Sequence, residues 1–220
     1  MKCKKYFRDI HLWLSLPAGI IISVICLTGA ILVFKEEFLA WGGYENIRES
    51  PLMFVMKLHR WLLDDTRTWG KMIVGISTLF FIFILITGLT VYWPKKWKRA
   101  HLTVCNDRGA YRWYRDVHCV LGLYAALILL VCALTGLLWS FQWCRDVVSW
   151  VTGEEIKRGA PIWKTIRALH FGTYAGWFSK LLTFVAAMIG AILPLTGYWL
   201  YWKKLKNRKV AHKAKNRSLR

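Results

Sequence analysis

Acid is scarce in this chain: twelve Asp and Glu stand against thirty-two Lys and Arg, for a formal net charge of +20. None of the twelve falls inside the four long apolar runs. Carriers of protons or metal ions hold carboxylates within the membrane, facing a cavity, so their absence argues against that class. Cysteine offers little either. The six cysteines form no C-x-x-C pair, and Cys144 alone is expected on the outer side, where it lacks a disulfide partner. No cleavable leader is expected, because the first apolar run is too long and has no A-x-A end.

What the chain has is hydrophobicity, at 56% of residues. Such apolar content and such charge coexist in a polytopic membrane protein whose basic residues gather on one side. Four runs, at about 12–34, 72–93, 117–139 and 181–202, approach or exceed the ~20 residues a helix needs to cross a bilayer. Many of the fourteen tryptophans sit at their ends, as interfacial belts do. The expected class is therefore all-α with four transmembrane helices. Twenty of the basic residues lie before the first run, between residues 94 and 116, or after Trp202, whereas the other two loops carry nine acids. The positive-inside rule puts both termini and residues 94–116 on the cytoplasmic side of a cytoplasmic (inner) membrane. The tail, 205–220, reads as a topology and anionic-lipid signal; its juxtamembrane place argues against nucleic acid.

The chain repeats itself. RDIHLWLSLPAGIIISVICLTG, Arg8 to Gly29, returns as RDVHCVLGLYAALILLVCALTG, Arg115 to Gly136, at an offset of 107. Each opens Arg-Asp-x-His and closes Thr-Gly. Histidine and glycine are eighteen residues apart, five turns, so they share one azimuth about 27 Å apart along the axis. A second correspondence, at an offset of 109, joins Lys71/Lys180, Thr87/Thr196 and Gly88/Gly197. Two tandem two-span repeats are expected, 1–100 and 101–204. Each carries a short amphipathic helix at the outer interface, about 51–64 with His59 and about 161–171 with His170. Asp9 and Asp116 are expected to cap their spans, and Gln142 to Gly159 to form a polar loop.

This topology sets His11 and His118 at the cytoplasmic level and His59 and His170 at the outer level. One histidine at a membrane end reads as an interfacial or packing residue. Four at equivalent positions, two per level, read as axial-ligand pairs for two non-covalent, six-coordinate b-type haems. Gly29 and Gly136 reach the outer level, Gly88 and Gly197 the cytoplasmic one; they give room to a flat macrocycle or serve helix contact. Arg8 and Arg115 are candidate partners of haem propionates or plain topology charges. Zinc is disfavoured, since no carboxylate or thiolate joins the histidines at matching depth.

The phrases RDIHLWLSLPAG, KLHRWLL, ITGLTVYWP, RDVHCVLGLY, ALHFGTYAGWFSKLL and LPLTGYWLYW resemble the PepSY-associated transmembrane helix family over nearly the whole chain. Members include di-haem inner-membrane reductases of ferric siderophores. The resemblance implies two haems on His11, His118, His59 and His170, fed by a cytoplasmic electron donor, with a ferric chelate as outer acceptor in iron uptake. Longer relatives insert PepSY domains between the first two spans. Here that loop is only about Lys35 to Gly70, so substrate binding is reduced or falls to a partner protein. A ferric-reductase-like oxidoreductase is the expected function. The rival is a non-catalytic membrane subunit that anchors or regulates a partner, with the histidines serving packing; a homo-oligomer fits either. Reporter fusions at Asn46 and Glu154 should report the outer side, and fusions within 94–116 the cytoplasm; the reverse result would remove the two-level argument.

Overall fold

The computed structural model describes residues 2–105, 109–157 and 159–218. Among these, the regular elements are all helical. In chain order they are α1 (Lys2–Val33), α2 (Lys35–Gly42), α3 (Leu52–Trp61), α4 (Trp69–Tyr92), a 3-10 turn at Arg99–His101, α5 (Ala110–Ser140), α6 (Gln142–Thr152), α7 (Pro161–Phe171) and α8 (Gly176–Ser218). Helices α1, α4, α5 and α8 are long and apolar enough to cross a membrane.

Three of the four outrun their apolar stretches. Helix propagation needs no hydrophobicity, and Lys and Arg are good helix formers, so α1 and α5 begin within basic sequence and α8 continues through it. Asp9 and Asp116, expected as caps, consequently lie inside their helices, and Gly109 stands at the start of α5 without a side-chain cap. Asp116 is buried and paired with Arg115 at 3.0 Å and Arg112 at 3.8 Å. Helices α2 and α6 occupy segments whose polar residues read as loop. In α6 the spacing is amphipathic: Cys144 is buried, while Trp143, Val147, Trp150 and Val151 are exposed together.

Helix α1 packs on α4 and α8, and α5 packs on the same two, giving a four-helix ring in the order α1, α4, α5, α8. Lipid tails are as apolar as leucine, so association here depends on close approach and dispersion. Small residues supply the approach. Ala18, Ala30, Ala125, Ala133, Ala186 and Ala191 are buried in the bundle. Large apolar residues such as Trp13, Ile20, Phe83 and Leu127 face outward, as a lipid-solvated surface allows. The fold and the match to four crossing helices make this a multi-pass membrane protein.

The short helices α3 and α7 lie against the ring, α3 on α1 and α4, and α7 on α5. Tight turns fasten their ends. After α3, Asp64 accepts hydrogen bonds from the amides of Thr66, Thr68 and Gly70. The Thr66 hydroxyl and the Gly70 amide hold the Asp64 carboxyl below its usual range. Gly70 rests on the Trp61 carbonyl so closely that a Cβ would overlap it. After α7, Gly172 turns the chain at φ +70°, and the Ser179 hydroxyl donates to its carbonyl at 2.6 Å. Lys180, buried on α8, binds Glu37 of α2 at 2.7 Å.

Gly190 marks a close approach in the core: a Cβ there would stand 2.9 Å from Cys26 Sγ and 3.0 Å from Leu129 Cδ2. Gly190→Val should therefore cost about 1–3 kcal/mol by overpacking and lower the melting temperature in detergent. An unchanged melting curve would mean that α1, α5 and α8 are less tightly apposed than described.

Candidate functional site

Each of the four histidines named by the repeat makes one and the same contact. His11 Nδ1 lies 3.0 Å from the carbonyl of Ile84 and 3.4 Å from the hydroxyl of Thr87. His59 Nδ1 meets Ile25 at 2.9 Å and Thr28 at 3.1 Å. His118 Nδ1 meets Leu193 at 3.1 Å and Thr196 at 2.9 Å. For His170 the partners are Cys132 and Thr135, both at 3.0 Å. In every case the carbonyl is three residues before the threonine. The threonine hydroxyls turn back on their own helices, as Thr28 does to Val24 at 2.6 Å, and so present oxygen lone pairs to the ring.

A carbonyl oxygen only accepts, so each Nδ1 carries the hydrogen and donates it. That sets the tautomer and leaves Nε2 with its lone pair. Burial pushes His59 and His170 down to about 4, against the raising effect of their carbonyl partners, so both rings are neutral near pH 7. The threonines were not singled out by the sequence reading, although the repeated Thr-Gly ending contained them.

The glycine after each threonine touches the same ring. A Cβ on Gly29 would stand 3.1 Å from His59 Cε1, on Gly88 3.1 Å from His11 Cε1, on Gly136 3.3 Å from His170 Cε1, and on Gly197 3.5 Å from His118 Cε1. What these glycines admit first is imidazole. The ring is thus held by a carbonyl, a hydroxyl and a bare backbone of a neighbouring helix.

Every anchor lies in the histidine's own half of the chain, but the rings meet across the halves. His11 and His118 form a proximal pair, at the end where the chain begins, with ring centroids 6.3 Å apart. His59 and His170 form a distal pair, 6.4 Å apart. An imidazole–metal bond is about 2 Å and a ring nitrogen lies about 1.2 Å from its centroid, so two imidazoles across one metal ion are expected ~6.3 Å apart. Both pairs fit bis-imidazole ligation of a haem iron, with free Nε2 lone pairs as donors. Among the described residues, no three His, Cys, Asp or Glu side chains gather as a metal site.

A cavity of about 200 Å³ opens beside the distal pair. Its wall is largely apolar and includes Cys26, Phe81, Cys132, Gly29, Gly136 and Trp139. Trp139 packs on His170 at 5.0 Å and on Trp163 at 4.9 Å. Arg60 and Lys71 also line it. The sequence assigns neither a site role: Lys71 enters only as the repeat counterpart of Lys180, and Arg60 is one more basic residue among thirty-two. Arg8 and Arg115, the candidate propionate partners, lie beside their neighbouring acids, Asp9 at 3.7 Å and Asp116 at 3.0 Å.

A family model described as the PepSY-associated TM region matches residues 42–161 and 146–204. The matched residues contain His59, His118 and His170, and His11 lies before them. No curated protein and no solved structure matches the chain. The ring contacts make a direct prediction. Gly29→Leu should drive the His59 ring off Thr28, so that diethyl pyrocarbonate labels His59 several-fold faster than in the parent, read by mass spectrometry. Equal labelling would show that the glycine does not seat the ring.

Proposed function

Since the chain belongs to the PepSY-associated TM family, we propose that it is a di-haem b-type membrane protein that carries electrons from the cytoplasmic side of the inner membrane to a ferric chelate outside. One observation carries the reading: two imidazole pairs at 6.3 and 6.4 Å, each ring with Nδ1 already engaged. When bound, two haems would supply one-electron transfer between the faces of the bilayer.

The chain's own residues supply the rest. His11 and His118 would hold one iron through Nε2, and His59 and His170 the other. The threonines and carbonyls orient the rings and raise their basicity, as outer-shell hydrogen bonds to ligating histidines do. Glycine contact keeps each ring from tilting. The apolar wall around the distal pair excludes water and lowers the local dielectric. Along α1 the proximal level, at His11, and the distal level, at Gly29, are about 27 Å apart, which spans most of a hydrocarbon core. The basic end takes the electron from a cytoplasmic donor. With only α2 and a short turn between α1 and α3, recognition of the chelate is shared with a partner protein or rests on the distal surface itself.

Purified protein should show a low-spin Soret band at two haems per chain; a protein without one supports the anchoring-subunit reading instead. His11→Ala and His118→Ala should each remove or convert the same haem and leave the other low-spin, while His59→Ala and His170→Ala affect only the second. The proximal rings are nearly perpendicular at 86° and the distal rings tilted at 59°, so the two centres should also differ in electron paramagnetic anisotropy. If His11→Ala and His118→Ala perturb different haems, the pairing fails.

A further inference from the structure

The distal cavity is charged on one side only. Arg60, on α3, and Lys71, on α4, line it, and no Asp or Glu does among the described residues. The same positions in the second half differ. His170 is followed by Phe171 where His59 is followed by Arg60, and Lys180, the counterpart of Lys71, is bound to Glu37. No ion pair to Lys71 occurs among the described residues. Arg60 keeps its guanidinium over the Trp61 ring, 4.8 Å from its centroid.

Two half-buried cations on one wall of a largely apolar cavity favour an anion, because charge there is less screened than in open water. A b-type haem carries two carboxylates on one edge, and guanidinium and ammonium are the donors that bind carboxylates most strongly. We propose that Arg60 and Lys71 form an anion clamp for the two haem carboxylates at the distal site, so that this edge faces the α3–α4 side. This rests on the di-haem reading. It also gives a reason for the asymmetry: a clamp on both walls would admit the macrocycle in either of two orientations, whereas a clamp on one wall selects a single orientation.

The test uses the full chain produced in haem-limited cells, purified in detergent and titrated with haem b or with its dimethyl ester. The distal site of the parent should bind the ester about tenfold or more weakly than haem b. Arg60→Gln with Lys71→Gln should weaken haem b by a similar factor and make it indistinguishable from the ester. Lys180→Gln should leave distal binding as in the parent, and the proximal low-spin spectrum serves as the folding control throughout. A parent that binds the ester as tightly as haem b overturns the clamp, and so do losses that multiply when ester and substitutions are combined; in the first case the cations would be left to an anionic acceptor. If neither form titrates with the parent, the di-haem reading itself has failed.

Discussion

Everything distinctive in this bundle depends on one hydrogen bond made four times, from imidazole Nδ1 to a main-chain carbonyl three residues before a threonine. In a helix that carbonyl already accepts from an amide one turn on, but an oxygen has a second lone pair. The threonine adds a further acceptor, and the glycine behind it removes the one atom that would push the ring away. Thr-Gly is therefore a socket for a ring belonging to another helix. Four sockets on α1, α4, α5 and α8 receive rings from α3, α1, α7 and α5 respectively, each within its own half. Three of the sockets, on α4, α5 and α8, lie within the residues that the family model matches, and the one on α1 lies before them.

Much of the fold was legible because lipid simplifies the code. Inside a bilayer the backbone must satisfy itself, so a long apolar run means a helix. The Arg-Asp-x-His and Thr-Gly endings then indicated which helices face the same level, and the rings do meet at 6.3 and 6.4 Å. The short elements were harder to read. α2 and α6 carry Lys, Glu, Gln and Asp, and their helicity comes from local propensity, joined in α6 by the buried Cys144, signals that polar composition hides. Asp9 and Asp116 looked like caps only because the apolar run was taken for the helix. Asp116 instead works in the interior of α5 against two arginines.

The site was legible by residue and less so by contact. Glycine next to a histidine level suggested space, and the structure fills that space first with imidazole, a partner that no single-helix pattern reveals. The two distal cations show no site role in the sequence for a different reason. In a chain of net charge +20, an arginine after a histidine and a lysine near the start of a span carry no contrast. Only the comparison of halves separates them, since Lys180 has Glu37 and Lys71 faces a cavity.

On the di-haem reading proposed above, the glycine contact has a consequence for speed. A ring pressed against backbone on one side and tethered through nitrogen on the other has little freedom to swing when the charge of a bound ion changes. Bond lengths and angles around such an ion would shift little between oxidation states, and the surroundings, already aligned, would need little rearrangement. On that reading, a low reorganisation energy would speed electron transfer at whatever distance separates the two centres. Four hydrogens in place of four methyl groups are, on this view, a kinetic device, built into the backbone where no side chain has to be ordered.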